Sequence, residues 1–279
     1  MAFFRLAGRV SSMPGQQVKA TLRRAGFTRL RAAAVRMCCE RAALSLAGER
    51  RPARSRILCY HGVGTPSWGV NDVSPARFRS QLETAIRAGY HFVPAELIAS
   101  GDDIDERRLA ITFDDGLASV AEYAAPVLED LGIPWTLAVV TDWADGQHEF
   151  GDGVMLNWAE IERLAERGAT IASHSVSHQD FGLIDAPHAE AELFESRITI
   201  ASRIGITPSA FAIPLGQTKN WNSTAQEAAI RAGYLTVYAQ SEERRHAGTV
   251  GRTFVTRFDS PRIFRAALAG AFDRWEEWV

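Results

Sequence analysis

Leu109-Ala110-Ile111-Thr112-Phe113-Asp114-Asp115-Gly116 is the stretch from which the rest of the chain can be read. Its first five residues are apolar or β-branched and predict a strand, and the strand runs straight into two carboxylates and a glycine. The same grammar repeats on both sides. Upstream, Ile57–Tyr60 is a short apolar strand followed by His61-Gly62. Ser74-Pro75 then offers an N-cap and an N1 proline to a helix ending at Gly89, and Tyr90–Val93 is a further strand. Downstream, a helix over Ala118–Leu131 stops at Gly132 and Trp135–Val140 is a strand. Asn157, with Glu160 three residues on, forms a capping box for a helix to Arg167. Strands at Ala169–Ser173, Ala210–Ile213, Leu235–Tyr238 and Thr253–Phe258 alternate with helices at Ala186–Arg203, Ser223–Ala232 and Pro261–Ala271. Such alternation implies βαβ units around a largely parallel sheet. With about seven strands and no glycine-rich phosphate loop, the pattern predicts an α/β fold of the distorted (β/α) barrel type rather than an open nucleotide-binding sheet.

In a barrel of this kind chemistry belongs at the C-terminal ends of the strands. The polar clusters fall there: Asp114-Asp115 after one strand, His174-Ser175-Val176-Ser177-His178 after another, Tyr60-His61-Gly62 after a third. By itself Asp-Asp-Gly reads as a turn, and two histidines four apart are more often a packing pair than a ligand pair. Their joint placement carries the reading. One aspartate and two histidines make a hydrolytic metal site with open positions, and the neighbouring carboxylate faces a substrate water.

Thr112–Gly116 and His174–His178 resemble the first two motifs of the polysaccharide deacetylase family (NodB-homology, carbohydrate esterase family 4). Phe211-Ala212-Ile213-Pro214-Leu215-Gly216 is similar to its third. The resemblance covers roughly residues 56–260. It implies a divalent metal, most readily Zn2+, held by Asp115, His174 and His178, with Asp114 as general base for the attacking water. Pro214 and Leu215 are then placed at the substrate, with a backbone N–H near Leu215 on the oxyanion. The family's late histidine has no counterpart after His246. The early His61 resembles the acid of the circularly permuted poly-N-acetylglucosamine deacetylase branch. Ala212 stands where the family often has an arginine that orients the base, and Leu215 where it often has an aromatic. No assignment of Trp221 or Asp259 to the late acidic motif follows. The implied activity is removal of N-acetyl groups from N-acetylhexosamine in a polysaccharide or glycolipid. Hydrolysis of another small amide, and a degenerate carbohydrate-binding domain, stand as alternatives.

The other ring-bearing residues divide less clearly. His91, His188 and His246 read as strand, helix and loop positions. His148, among Asp142, Asp145 and Asp152, is either a solvated loop residue or part of a cleft. Trp68, Trp143 and Trp158 sit near strand-end loops, where an aromatic either stacks on sugar or packs in the core. Cys59 reads as a small buried hydrophobe.

The chain has 279 residues, 46% hydrophobic and 23% charged, an ordinary globular composition. Three cysteines, two of them adjacent, are too few for a disulfide framework. Charge is split sharply: residues 1–56 hold 13 Lys+Arg against 2 acids, and residues 57–279 hold 18 against 31. This divides the chain into a basic helical extension with linker, 1–55, and a catalytic domain, 56–279. From Lys19 to Leu46, Leu22, Phe27, Leu30, Ala34 and Met37 recur at helical spacing among Arg23, Arg24, Arg29, Arg31, Arg36 and Arg41. Such a helix either packs on the domain with its arginines solvated or lies peripherally on an anionic membrane. Without a groove-reading motif on an acidic domain, nucleic acid is excluded as partner. No apolar h-region signals secretion, so the expectation is a cytoplasmic protein, with the inner membrane face as a second option.

Overall fold

The structure, a computed structural model, describes residues 29–50, 54–101, 107–240 and 245–275, with side chains from residue 33. A nearly closed, mostly parallel sheet forms the centre. Its strands are β1 (Arg56–Tyr60), β5 (Arg108–Phe113), β6 (Trp135–Val139), β7 (Thr170–Ser173), β8 (Ala210–Ala212), β9 (Thr236–Ala239), β10 (Val250–Gly251) and β11 (Thr253–Phe254). They run in the order β10-β9-β8-β7-β6-β5-β1-β11, with β4 (His91–Phe92) paired to β5 off this path. The two ends of the order are consecutive in the chain. β10 pairs with β9 and β11 pairs with β1, both in parallel, and Arg252 alone separates them. Residues 250–254 therefore act as one closing strand, which reconciles the eight strands of the order with an expectation of about seven. A small parallel pair, β2 (Gly62–Val63) and β3 (Asp72–Val73), brackets a 3-10 segment over Pro66–Asn71 beside the barrel mouth.

Helices cover the outside where the punctuation placed them. The capping box of the helix Trp158–Glu166 is present: Glu160 N–H donates to Asn157 Oδ1 at 3.0 Å, and Asn157 N–H to Glu160 Oε2 at 2.9 Å. Asp185 and Ser260 N-cap the helices Ala186–Ile204 and Pro261–Leu268, their side chains accepting from the His188 and Ile263 N–H groups without a reciprocal bond. The expected helix over 118–131 is instead a π turn at Val120–Ala124 leading into Ala125–Asp130. Between sheet and helices, Tyr60, Phe78, Phe113 and Trp135 pack as edge-to-face or tilted rings with centroids 5.2 to 5.8 Å apart.

The N-terminal helix spans Arg29–Ala47; residues 19–28 of the basic stretch lie outside the described residues. Met37, Arg41 and Ser45 recur at intervals of four and are buried, against the helix Pro261–Leu268 and the segment that follows it. Arg41, read from sequence as one of a row of surface arginines, is wholly buried, because Asp259 and two aromatic rings wait for it on the domain. Among the described residues no helix is long and apolar enough to cross a membrane.

Candidate active site and metal centre

All the parallel strands point the same way, so their C-terminal ends bring the predicted polar residues to one mouth. Four non-glycine residues of the described chain have positive φ, and all four are here: Asp115 (75°), Ser175 (71°), His178 (60°) and Leu215 (64°). Left-handed backbone costs on the order of 1–3 kcal/mol at such residues and persists where function and surroundings impose it. At Asp115 it turns the chain immediately after β5, so that Asp114 and Asp115 face different partners.

Asp115 Oδ1 lies 3.5 Å from Nε2 of His174 and 3.6 Å from Nε2 of His178. The three donor atoms fall within 4.8 Å of one another. His174 Nδ1 donates to the Ala212 carbonyl of β8 at 2.8 Å, which leaves its Nε2 lone pair directed at Asp115. His178 is carried by a tight turn. Its N–H donates to Ser175 Oγ at 2.9 Å, while Glu192 from the helix Ala186–Ile204 accepts from the Val176 and Ser177 N–H groups and from Ser177 Oγ. Two imidazoles and a carboxylate, with free space on the cleft side, fit a borderline divalent ion such as zinc. The electrostatics of the three differ: burial lowers the His174 ring, but Asp114 and Asp115 outweigh it and raise it above its ordinary value. Burial pushes the Asp115 carboxyl up, but His61, His174 and His178 overcome it and bring it to about 2. Burial, with His174 nearby, lowers His178 to about 4, so at neutral pH its ring is a neutral donor.

Asp114 is turned to the barrel interior. Arg252, the residue at the closure of the barrel, donates from Nη1 to Oδ1 and from Nη2 to Oδ2, both at 2.7 Å, and Cys59 Sγ is 3.3 Å from Oδ2. Burial raises the Asp114 carboxyl, and the Arg252 guanidinium outweighs it and holds the group well below the usual range. With Ala212 at its position, the sequence left Asp114 without an evident arginine partner. The structure supplies one 138 residues away, from the strand end that topology brings beside β1 and β5. Cys59 is buried as expected, though its thiol touches Asp114 rather than only packing.

Above these groups opens a cleft of about 330 Å³, lined by His61, Trp68, Asn71, Asp115, Trp143, His178, Leu215, Gln217 and Gln240. His61 packs edge-on against Phe254 at 5.4 Å, and its Nδ1 is buried without a hydrogen-bond partner among the described residues. Leu215 is half exposed at the rim. Pro214 is buried beneath it and is not part of the lining, a departure from its expected place at the substrate. Trp143 stacks on His178 at 5.0 Å, and Phe150 bridges Trp143 and Trp68 edge-to-face at 5.0 and 4.9 Å. His148 stacks on Phe150 and so borders this aromatic wall. Trp158 is not at the cleft; it donates to Asp145 and lies under Arg203. Trp221 packs in the core with Phe181 and Phe211, and Asp259 belongs to Arg41.

The family model for polysaccharide deacetylases matches residues 101–237. Over that span the chain resembles a polysaccharide deacetylase domain. The matched span holds both motif carboxylates and both motif histidines, whereas His61 and Arg252 lie outside it. YxkH of Bacillus subtilis (strain 168), which bears a polysaccharide deacetylase name, is 23% identical over 188 residues. The match covers 66% of this chain and 63% of the length of that relative. Three solved structures share the fold. The Streptococcus pyogenes deacetylase PplD, in complex with acetate, has a TM-score of 0.67 at 21% identity, over 78% of this chain and 99% of that one. IcaB from Ammonifex degensii has 0.65 at 23%, over 78% and 98%. A de-N-acetylase from Aggregatibacter actinomycetemcomitans has 0.66 at 20%, over 77% and 99%.

Proposed function

We propose that the protein is a metal-dependent hydrolase that removes N-acetyl groups from N-acetylhexosamine units of a polysaccharide or glycolipid. The observation that carries this reading is the grouping at one cleft floor of Asp115, His174 and His178, with the ionised Asp114 beside them and His61 in the cleft wall. Asp115, His174 and His178 would hold a divalent ion, which would supply Lewis acidity to the attacking water and to the amide carbonyl. Asp114 takes the proton from the attacking water; Arg252 fixes the plane of its carboxylate and leaves a lone pair on Oδ1 for that proton. The Leu215 backbone N–H, at the rim, donates to the developing oxyanion. His61 delivers a proton to the departing amine, which turns a poor leaving group into a neutral one. Half-exposed Leu215, in place of an aromatic, leaves the rim open, and the wall of Trp68, Phe150 and Trp143 offers ring faces to a pyranose. A degenerate binding domain would rest on a missing arginine and a missing late histidine; the pairing of Arg252 with Asp114 and the place of His61 in the cleft wall support catalysis instead.

The test is acetate release from N-acetylglucosamine oligomers against simple acetamides and cyclic amides, in wild type and His61→Ala. Wild type is expected to prefer the oligomers. His61→Ala is expected to lose turnover by about 10²–10⁴-fold, as befits a general acid, while keeping its metal. Full activity in His61→Ala refutes its role as the acid, and preference for simple amides refutes the substrate class.

A further inference from the structure

Asp115 presents its two carboxylate oxygens to different partners. Oδ1 faces the Nε2 atoms of His174 and His178, and Oδ2 accepts the indole N–H of Trp68 at 3.2 Å. The indole reaches it from the 3-10 segment Pro66–Asn71, which the sequence had offered only as sugar platform or core. That segment is tied down at both ends. Gly64 N–H donates to Val73 O at 3.0 Å and Thr65 N–H to Asp72 Oδ1 at 2.6 Å. Arg257 donates from its backbone to Val70 O at 2.9 Å and from Nη1 to Gly69 O at 3.3 Å. Its ring touches Phe150, which in turn meets Trp143, whose ring stacks on His178. The side chain is thus placed by its own tethered loop, and its single donor is spent on the carboxylate.

We infer that Trp68 is a positioning residue for the metal centre. It occupies Asp115 Oδ2, so the carboxylate offers one oxygen, Oδ1, to the cation, and it fixes the χ angles that bring that oxygen to the two imidazoles. The inference rests on the reading of Asp115, His174 and His178 as metal ligands. It adds to that reading a group outside the ligand set, from a loop outside all three motifs and outside the matched family span. Groups that orient a ligand from behind are typically worth about 10–100-fold in metal affinity. The aromatic face and the N–H of Trp68 are separable, because phenylalanine keeps the first and removes the second.

The experiment is a zinc competition titration against a chromophoric chelator, with the visible spectrum of the Co2+ form recorded in parallel. It uses the full chain in wild type, Trp68→Phe and Phe150→Leu. Trp68→Phe is expected to keep an unfolding temperature near that of wild type, because the residue is only partly buried and phenylalanine keeps an aromatic ring against the core. Its zinc affinity is expected to fall by about 10-fold or more. Its cobalt band should weaken and shift as the freed Oδ2 joins the coordination sphere. Phe150→Leu, which loosens the wall but leaves the N–H in place, is expected to bind both ions as wild type does. Wild-type affinity and an unchanged cobalt spectrum in a folded Trp68→Phe overturn the inference. An equal loss in Phe150→Leu also overturns it, by assigning the effect to the loop as a whole. Should wild type itself fail to bind zinc, the metal-centre reading falls first and takes this one with it.

Discussion

Asp114→Asn is expected to reduce turnover by about 10²–10⁴-fold, the contribution of a well-placed general base, while the protein binds as much divalent metal as before. The substitution preserves shape and leaves Asp115, His174 and His178 in place, so loss of chemistry is not confounded with loss of the cation. It carries a second consequence. Arg252 is buried at the barrel closure and donates to both Asp114 oxygens. A neutral amide leaves that guanidinium unpaired, and breaking a buried pair from one side costs about 3–5 kcal/mol. Lower thermal stability should therefore accompany the lost turnover. The double variant Asp114→Asn/Arg252→Gln removes both charges; it is expected to recover much of the stability and none of the activity. Acetate release within a factor of ten of wild type in folded Asp114→Asn contradicts the assignment of the base.

The second large effect is on stability and lies far from the cleft. Arg41→Ala is expected to cost about 3–5 kcal/mol, because it strands a buried carboxylate. The Arg41 guanidinium donates from Nε and Nη2 to the two oxygens of Asp259, each at 2.5 Å, and from Nη2 to the Phe254 carbonyl at 3.0 Å. It lies 4.3 Å from the Phe272 ring centroid and 5.1 Å from that of Trp275. Among the described residues, the Asp259 carboxylate keeps only its bonds from Thr256 in the variant. At about 2–4 °C per kcal/mol for a chain of this size, the melting temperature should fall by roughly 10 °C. Phe254 is also the ring against which His61 packs, so the N-terminal helix braces the strand end beside the cleft. An unchanged melting temperature contradicts a structural role for the helix.

The barrel and its motif residues were legible because each rests on local chemistry. Apolar runs such as Trp135–Val139 make parallel strands, Asn157 with Glu160 writes a capping box, and Asp114-Asp115 and His174–His178 sit directly after strands. What was not legible depends on distant contacts. Arg252 meets Asp114 only because the strand 250–254 is split at the point where the barrel closes. Glu192 clamps the His178 turn from a helix whose composition shows only an acidic face. Arg41 was indistinguishable from its neighbours in an arginine-rich helix, since a buried guanidinium is defined by the pocket that receives it. Trp68 was visible as an aromatic near a strand end; that its N–H rather than its face touches Asp115 follows from the fold of the 66–71 loop.

Everything proposed for the cleft depends on a cation held by Asp115, His174 and His178. The most direct measurement is elemental analysis of the purified protein beside Asp115→Ala, each after incubation with zinc and removal of the excess. The account predicts about one zinc per wild-type chain, as three converging N and O donors should hold, and almost none in the variant. No zinc in either protein, or equal zinc in both, would contradict it.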